Sequence, residues 1–356
     1  MQVAADNLAE SASNLNGTML PLRFSRRVVT SALVAVVMTI GLVLVPNVVG
    51  TRLHEAVTRL HQAQPLWLWA AGGAFLVTLV CVAFAWRCAF AECGGCVSRR
   101  QTLARYGLGS LANSASPARI GDALRIALFS RSLEGSDRLW TSSGAFAAIS
   151  AVKVAISAAL LIAASASNSI PLWPLEAASA FAVALAVAAF FARKRPIAHH
   201  ALHLLDAFRA LAHSPRGTAV LVGWVGAAAL ARVAAAAAVV AAFGLPAPLG
   251  AALVIVPALD LAGLFPITPG NIGVASAAVA AVLQSRGVNF TTALSTGLAF
   301  HAMETLTSIV FGLGGVLAIV EFSSPRRRRL VLAASGAVLS IGAAALLGAV
   351  ILGDIG

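Results

Sequence analysis

The sequence is poor in charge. Asp, Glu, Lys and Arg make up 11% of its 356 residues, against roughly 25% in soluble domains. Aromatics are 6%, and the basic residues are nearly all arginine, with Lys153 and Lys194 the two lysines. So little charge over such a length excludes a separate soluble catalytic domain, because apolar segments fill the chain from Val28 to Leu352. Cysteine is scarce as well. Cys81 and Cys88 lie inside an apolar run and read as packing residues. Cys93 and Cys96 have CxxC spacing, but a structural zinc site needs four ligands and there is no second pair. A Walker-type phosphate loop is also missing, so nothing marks an ATP-driven machine.

What is present is hydrophobicity, 59% of residues with a mean hydropathy of +0.89. The chain reads as an all-α polytopic membrane protein. A helix needs about 20 apolar residues to cross a hydrocarbon core of roughly 30 Å. Seven segments qualify: 28–45, 66–90, 140–166, 175–191, 218–243, 291–321 and 330–352. Residues 1–22 read as a disordered cytoplasmic tail, and the first span as an uncleaved signal anchor. The net charge of +12 marks cytoplasmic loops rather than nucleic-acid binding. With the N-terminus inside, 20 of the 25 basic residues fall on the cytoplasmic side, including Arg87, Arg99, Arg100, Arg138 and Arg326 to Arg329. The C-terminus is then outside. The Arg- and Ala-rich composition points to a bacterial inner membrane.

Two stretches 152 positions apart are nearly the same: Ser116-Pro117-Ala118-Arg119-Ile120-Gly121-Asp122-Ala123 and Thr268-Pro269-Gly270-Asn271-Ile272-Gly273-Val274-Ala275. The flanking spans repeat at the same offset, giving halves of about 28–166 and 175–321 within a transmembrane domain of 23–325. Residues 326–356 add a final span outside the repeat. Three spans per half is odd, which makes the repeat inverted. Each stretch opens like a helix, with a hydroxyl cap and then proline. The flanks are too short and too broken to span, so each stretch is expected to lie on a re-entrant element facing protein or a wet cavity. Two helix N-termini directed at the membrane centre favour an anion. The competing reading makes proline and glycine simple turns between short packed helices.

At these residues the sequence resembles a known family. Asn113, Pro117, Arg119, Gly121, Asp122 and Arg125 look like the first signature of the lysylphosphatidylglycerol synthase transmembrane region, a flippase-like membrane domain. Pro266, Pro269, Gly270, Asn271 and Gly273, with Arg286-Gly287-Val288 beyond, resemble its second. The resemblance covers roughly residues 25–325. It implies movement of modified phospholipids or other amphipathic lipids between leaflets, without synthesis where the chain stops after the seventh span. Asp122 stands where the family usually has glutamate, Asn271 replaces a glycine, and Ser276 replaces the acid of the second signature.

Ionisable residues inside spans cost about 2.5–3.5 kcal/mol each on insertion scales and are functional candidates by default. Lys153, Arg232, Asp260 and Glu304 are the clear cases. The two cations suit a lipid phosphate, and the two acids balance them or take a cationic group. Internal ion pairing is the alternative. Arg125 is open to a cytoplasmic surface role. Between spans four and five, Ile197, Ala201, Leu204, Leu205, Phe208 and Leu211 form the apolar face of an interfacial helix. His199 and His203 on its other face lack a third metal ligand.

The expected function is therefore translocation of a lipid with an anionic headgroup, with no cofactor and no metal. The alternatives are a non-transporting partner of a lipid-modifying synthase and a membrane-embedded lipid-phosphate transferase. A separately encoded synthase and a second copy of this chain are the protein partners that this reading allows.

Overall fold

The computed structural model describes residues 63–115, 120–133, 137–166, 208–263 and 272–321. The expected spans 28–45, 175–191 and 330–352, the two proline-bearing stretches 116–119 and 268–271, and Arg326 to Arg329 lie outside them. So do His199, His203 and most of the expected interfacial helix; its last turn is helical up to His213.

The described elements are helices: α1 (Pro65–Glu92), α2 (Arg99–Ala115), α3 (Ile120–Ser130), α4 (Arg138–Ala166), α5 (Pro215–Ala242), α6 (Pro248–Ala262), α7 (Ile272–Ser285) and α8 (Phe290–Glu321). Among them α1, α4, α5 and α8 are long and apolar enough to cross a membrane. Their outward faces carry Trp69, Val77, Val154, Leu230, Val310 and Leu317 in the open. Such faces would be a liability in water and are at home against lipid. The chain is a multi-pass membrane protein. The bounds agree with the spans expected over 66–90, 140–166, 218–243 and 291–321.

The order long, short, short, long occurs twice. Helices begin at Pro65 and Pro215, Arg99 and Pro248, Ile120 and Ile272, and Arg138 and Phe290. Local chemistry repeats with them. Pro65 and Pro215 each open a helix where the missing N–H costs nothing. Gly94 and Gly244 end the equivalent helices at φ of +81° and +64°, a left-handed turn that a side chain would strain.

The two first helices, α1 and α5, pack along each other and run antiparallel. At one end the Gln64 N–H donates to the Ala242 carbonyl at 2.9 Å. At the other the Cys88 thiol donates to the Gly217 carbonyl at 3.4 Å. Contacts then exchange between the sets, α2 packing on α8 while α6 packs on α4, and recur within them, α3 packing on α4 and α7 on α8. Two apolar cores result. One joins the start of α1, the end of α5, α6, α7 and the start of α8, around Phe75, Val239, Ile255, Leu283 and Phe300. The other joins the end of α1, the start of α5, α3 and the start of α4, around Trp86, Phe90, Phe129, Ile149 and Leu221. Fully burying one such side chain is worth about 1.5–3 kcal/mol in water. Between lipid-exposed helices the gain comes instead from close packing.

The short helices explain the broken flanks. Residues 106–115, rich in Gly, Ser and Asn, are the second half of α2 rather than a loop. α2 and α3 form an antiparallel hairpin, with Asn113 facing Asp122 and Ser110 facing Arg125. At 17 and 11 residues and about 1.5 Å per residue, neither helix spans the core alone. The hairpin closes tightly because Gly121 lies on the Gly109 carbonyl and the Asn113 side chain.

A methyl group at position 121 would strike that backbone carbonyl. Gly121→Ala is expected to cost about 1–3 kcal/mol and to lower the unfolding temperature in detergent. Gly73→Ala, where nothing lies within 4 Å of an added Cβ, serves as the control and should be neutral or slightly stabilising. Equal melting of both variants would refute the close hairpin.

Candidate functional site

Ionisable residues of α4, α5, α6 and α8 converge on one network. Arg232 sits on α5 between Val225 of one core and Val233 of the other. Its NH1 donates to Asp260 Oδ1 of α6 at 2.7 Å, and its NH2 to Glu304 Oε1 of α8 at 3.0 Å. Lys153 Nζ of α4 reaches the same Asp260 oxygen at 2.8 Å. Ser157, one turn along α4, donates to Asp260 Oδ2 at 2.6 Å. Two cations and two carboxylates thus form a chain whose formal charge is zero. Pairing of this kind is what makes charges tolerable in a low dielectric. Exposure is graded along it. The side chains of Arg232 and Asp260 are 16% exposed, Glu304 30% and Lys153 51%, so Lys153 is the open end.

Two polar atoms beside this chain are left over. Arg232 Nε is buried with no hydrogen-bond partner. His301, one turn before Glu304, pairs its Nε2 with the Thr305 hydroxyl at 3.1 Å, while its buried Nδ1 has no partner.

A second polar cluster holds the α2–α3 hairpin. Arg125 NH1 pairs with Asp122 Oδ1 at 2.5 Å, and NH2 donates to Ser110 Oγ at 2.8 Å. The same Asp122 oxygen accepts from Asn113 Nδ2 at 3.1 Å. The guanidinium stacks over the Tyr106 ring, Cζ lying 4.1 Å from its centroid. Gly109 makes room for it, since a Cβ there would meet the Arg125 side chain. The surface role to which sequence left Arg125 open is corrected here. The residue is buried at 8% exposure and points between its own two helices, because α3 is pinned to α2 rather than lying free at the cytoplasmic face.

Tyr106 connects the two clusters. It is the chain's single tyrosine, it is buried under Arg125, and it lies within electrostatic reach of Asp122, Arg232 and Glu304. Its ring also meets Phe311 of α8 edge-on at 6.4 Å. Sequence reasoning missed Tyr106, Ser110, Ser157 and His301 as members of the site. The usable signal was polarity at positions one turn from a motif or span charge.

Asn113, Gly121, Asp122, Arg125, Lys153, Arg232, Asp260 and Glu304 are thus gathered into two neighbouring clusters. Gly273 lies exposed in the first turn of α7 and joins neither. Pro117, Arg119, Pro269, Gly270 and Asn271 lie outside the described residues. Ser276, where the resembled signature has an acid, is buried with an unpartnered hydroxyl; its backbone packs where a side chain at Gly297 of α8 would go. Among the described residues no group of His, Cys, Asp and Glu could hold a metal ion. No disulfide joins Cys93 and Cys96.

A protein-family model described as the lysylphosphatidylglycerol synthase TM region matches residues 28–312. The match takes in both proline-bearing stretches and all four network charges. No curated protein matches the chain.

Removing Arg125 would leave the Asp122 carboxylate without its cation inside the hairpin. Arg125→Ala is expected to destabilise the protein by about 3–5 kcal/mol, the usual cost of breaking a buried pair. Asp122→Asn, which keeps a hydrogen-bonding group, should cost clearly less. Thermal unfolding in detergent checks both, and an Arg125→Ala variant as stable as the parent would show that the hairpin does not depend on this pair.

Proposed function

Because the chain belongs to the lysylphosphatidylglycerol synthase TM region family, we propose that it moves a phospholipid, or another amphipathic lipid with an anionic headgroup, between the leaflets of the inner membrane. The observation that carries this reading is the neutral Lys153–Asp260–Arg232–Glu304 chain, buried among spanning helices and open at Lys153. A headgroup phosphate entering there competes with Asp260 and Glu304 for the two cations. Charge can then be exchanged inside the protein without an isolated ion ever facing hydrocarbon.

The antiparallel pairing of α1 with α5 and the exchange of contacts between the sets support an inverted repeat about an axis in the membrane plane. In such a repeat the α2–α3 and α6–α7 hairpins are the broken, re-entrant elements, entering from opposite faces. Rocking of one half against the other alternates access to the charges between them. Arg119 and the prolines Pro117 and Pro269, which precede α3 and α7 in the chain, then contact the headgroup, with Arg232 and Glu304 lining its path. The N-terminus is cytoplasmic, as are the ends of α1 and α3.

Two measurements test this. In vesicles reconstituted with a fluorescent-headgroup phospholipid, Glu304→Gln and Lys153→Met change the less buried members of the chain and should leave the fold intact. Each is expected to slow translocation at least tenfold, with Arg119→Ala abolishing it. Wild-type rates in all three would make the charges packing devices. In intact cells, an impermeant maleimide should label Pro246→Cys in the exposed α5–α6 loop and spare the native, exposed Cys96. The opposite labelling pattern would reverse the orientation.

A further inference from the structure

One half-buried cation is left out of both clusters. Arg105 lies in the second turn of α2, and Arg131 directly follows α3, so both stand at the open end of the hairpin. The Arg105 guanidinium rests against the Phe129 ring, with Cζ 5.9 Å from its centroid. Its NH1 is fully buried and has no hydrogen-bond partner. The charge that acts on it is that of Arg131, which is also positive. A guanidinium does not lose its proton in a protein, so it cannot escape this position by neutralising.

The contrast with its neighbours is informative. Arg125, on the same hairpin, has an acid on NH1, Asp122, and a hydroxyl on NH2, Ser110. Arg87, at the end of α1, donates its Nε to the Val97 carbonyl at 2.9 Å. Glu92, an acid at the same end of the fold, lies instead against Gly217 of α5. Among the described residues, Arg105 has a buried, unused donor, no acid paired with it and a second guanidinium acting on it. A buried charged donor left unmet is costly, and a shared anion would offset both the lost hydrogen bond and the like-charge repulsion.

We propose that Arg105 and Arg131 form a phosphate-binding site at the open end of the α2–α3 hairpin, distinct from the buried charge chain. The guanidinium fork matches two phosphate oxygens at once, and Phe129 holds its plane. The ligand chemistry is a phosphate oxyanion, supplied either by the headgroup of a phospholipid or by free phosphate. On the proposed orientation the site faces the inner leaflet, which makes it a loading point for the translocation path; that placement rests on the proposed function, whereas the binding itself does not.

The test uses the full chain in detergent micelles. Native mass spectrometry reads retention of phosphatidylglycerol against diacylglycerol, and calorimetry reads binding of inorganic phosphate. Arg105→Gln is expected to lower phosphatidylglycerol retention about tenfold or more, the usual worth of a charge-assisted hydrogen bond, with diacylglycerol unchanged. Arg131→Gln, at an exposed residue, should lower it less, and Arg105→Lys should fall between. If inorganic phosphate binds, Arg105→Gln abolishes that binding, and phosphatidylglycerol is not preferred over diacylglycerol, the site stands with free phosphate as its ligand. If Arg105→Gln binds both probes as the parent does, the proposal is overturned. It is also overturned if Arg105→Gln loses thermal stability without a change in binding, which would make the arginine a packing residue. Transport by a parent protein that fails to bind phosphate here would sink this site alone. Binding without transport would sink only the proposed function.

Discussion

Arg232 is the residue on which the arrangement depends. Its guanidinium holds Asp260 of α6 and Glu304 of α8 at 2.7 and 3.0 Å, and through Asp260 it is linked to Lys153 of α4. Four helices therefore converge on one planar group. Without it the two carboxylates would face an apolar interior with Lys153 as their one cation among the described charges. The planar fork can serve two acids at fixed angles where an ammonium offers a single point charge. That geometry sets the approach of α6 and α8 to α5, so the charge chain and the helix packing are one constraint.

The scaffold around it is nearly symmetric in its contacts, and its charges are not. Equivalent helices exchange neighbours, and each apolar core takes one end of α1 and the opposite end of α5. Three of the four network residues, however, belong to the second set of helices. The first set carries the Asn113–Asp122–Arg125 cluster in its place. Tyr106 lies where the two meet. A symmetric frame allows the halves to interconvert between equivalent arrangements, and unlike charges on the two sides give those arrangements different affinities for one ligand. Population shift requires such a difference.

Hydropathy made the four described spans legible to within a few residues, because 20-residue apolar runs have few other uses. The recurrence of long helices at a similar offset was legible too, in the spacing of the apolar runs. Residues 106–115 were harder to read, because Gly, Ser and Asn mark loops in water yet here let α2 approach α3 and α8 closely. Gly107, Gly312 and Gly315 meet across the α2–α8 crossing, where small residues bring backbones together. Lys153, Arg232, Asp260 and Glu304 could be singled out as buried charges, but their pairing could not, because periodicity within one helix says nothing about which faces of different helices meet. Tyr106 and Ser110 escaped for a related reason: in the sequence they are ordinary members of a polar flank, and their partners lie on other elements.

The unmatched polar atoms decide between a packed seam and a wet one. Arg232 Nε, His301 Nδ1, Asn113 Oδ1 and Arg125 Nε are all buried without partners. They belong to the two charge clusters, on helices α2, α3, α5 and α8. Each such group costs about 1–3 kcal/mol if left dry. Ion pairs retained only to fix helix packing are expected to come with their remaining donors and acceptors satisfied, since a half-satisfied network is worse than an apolar one. Unused hydrogen-bonding capacity in both clusters is instead what the proposed function calls for: groups that a headgroup phosphate and its substituents could take up in transit.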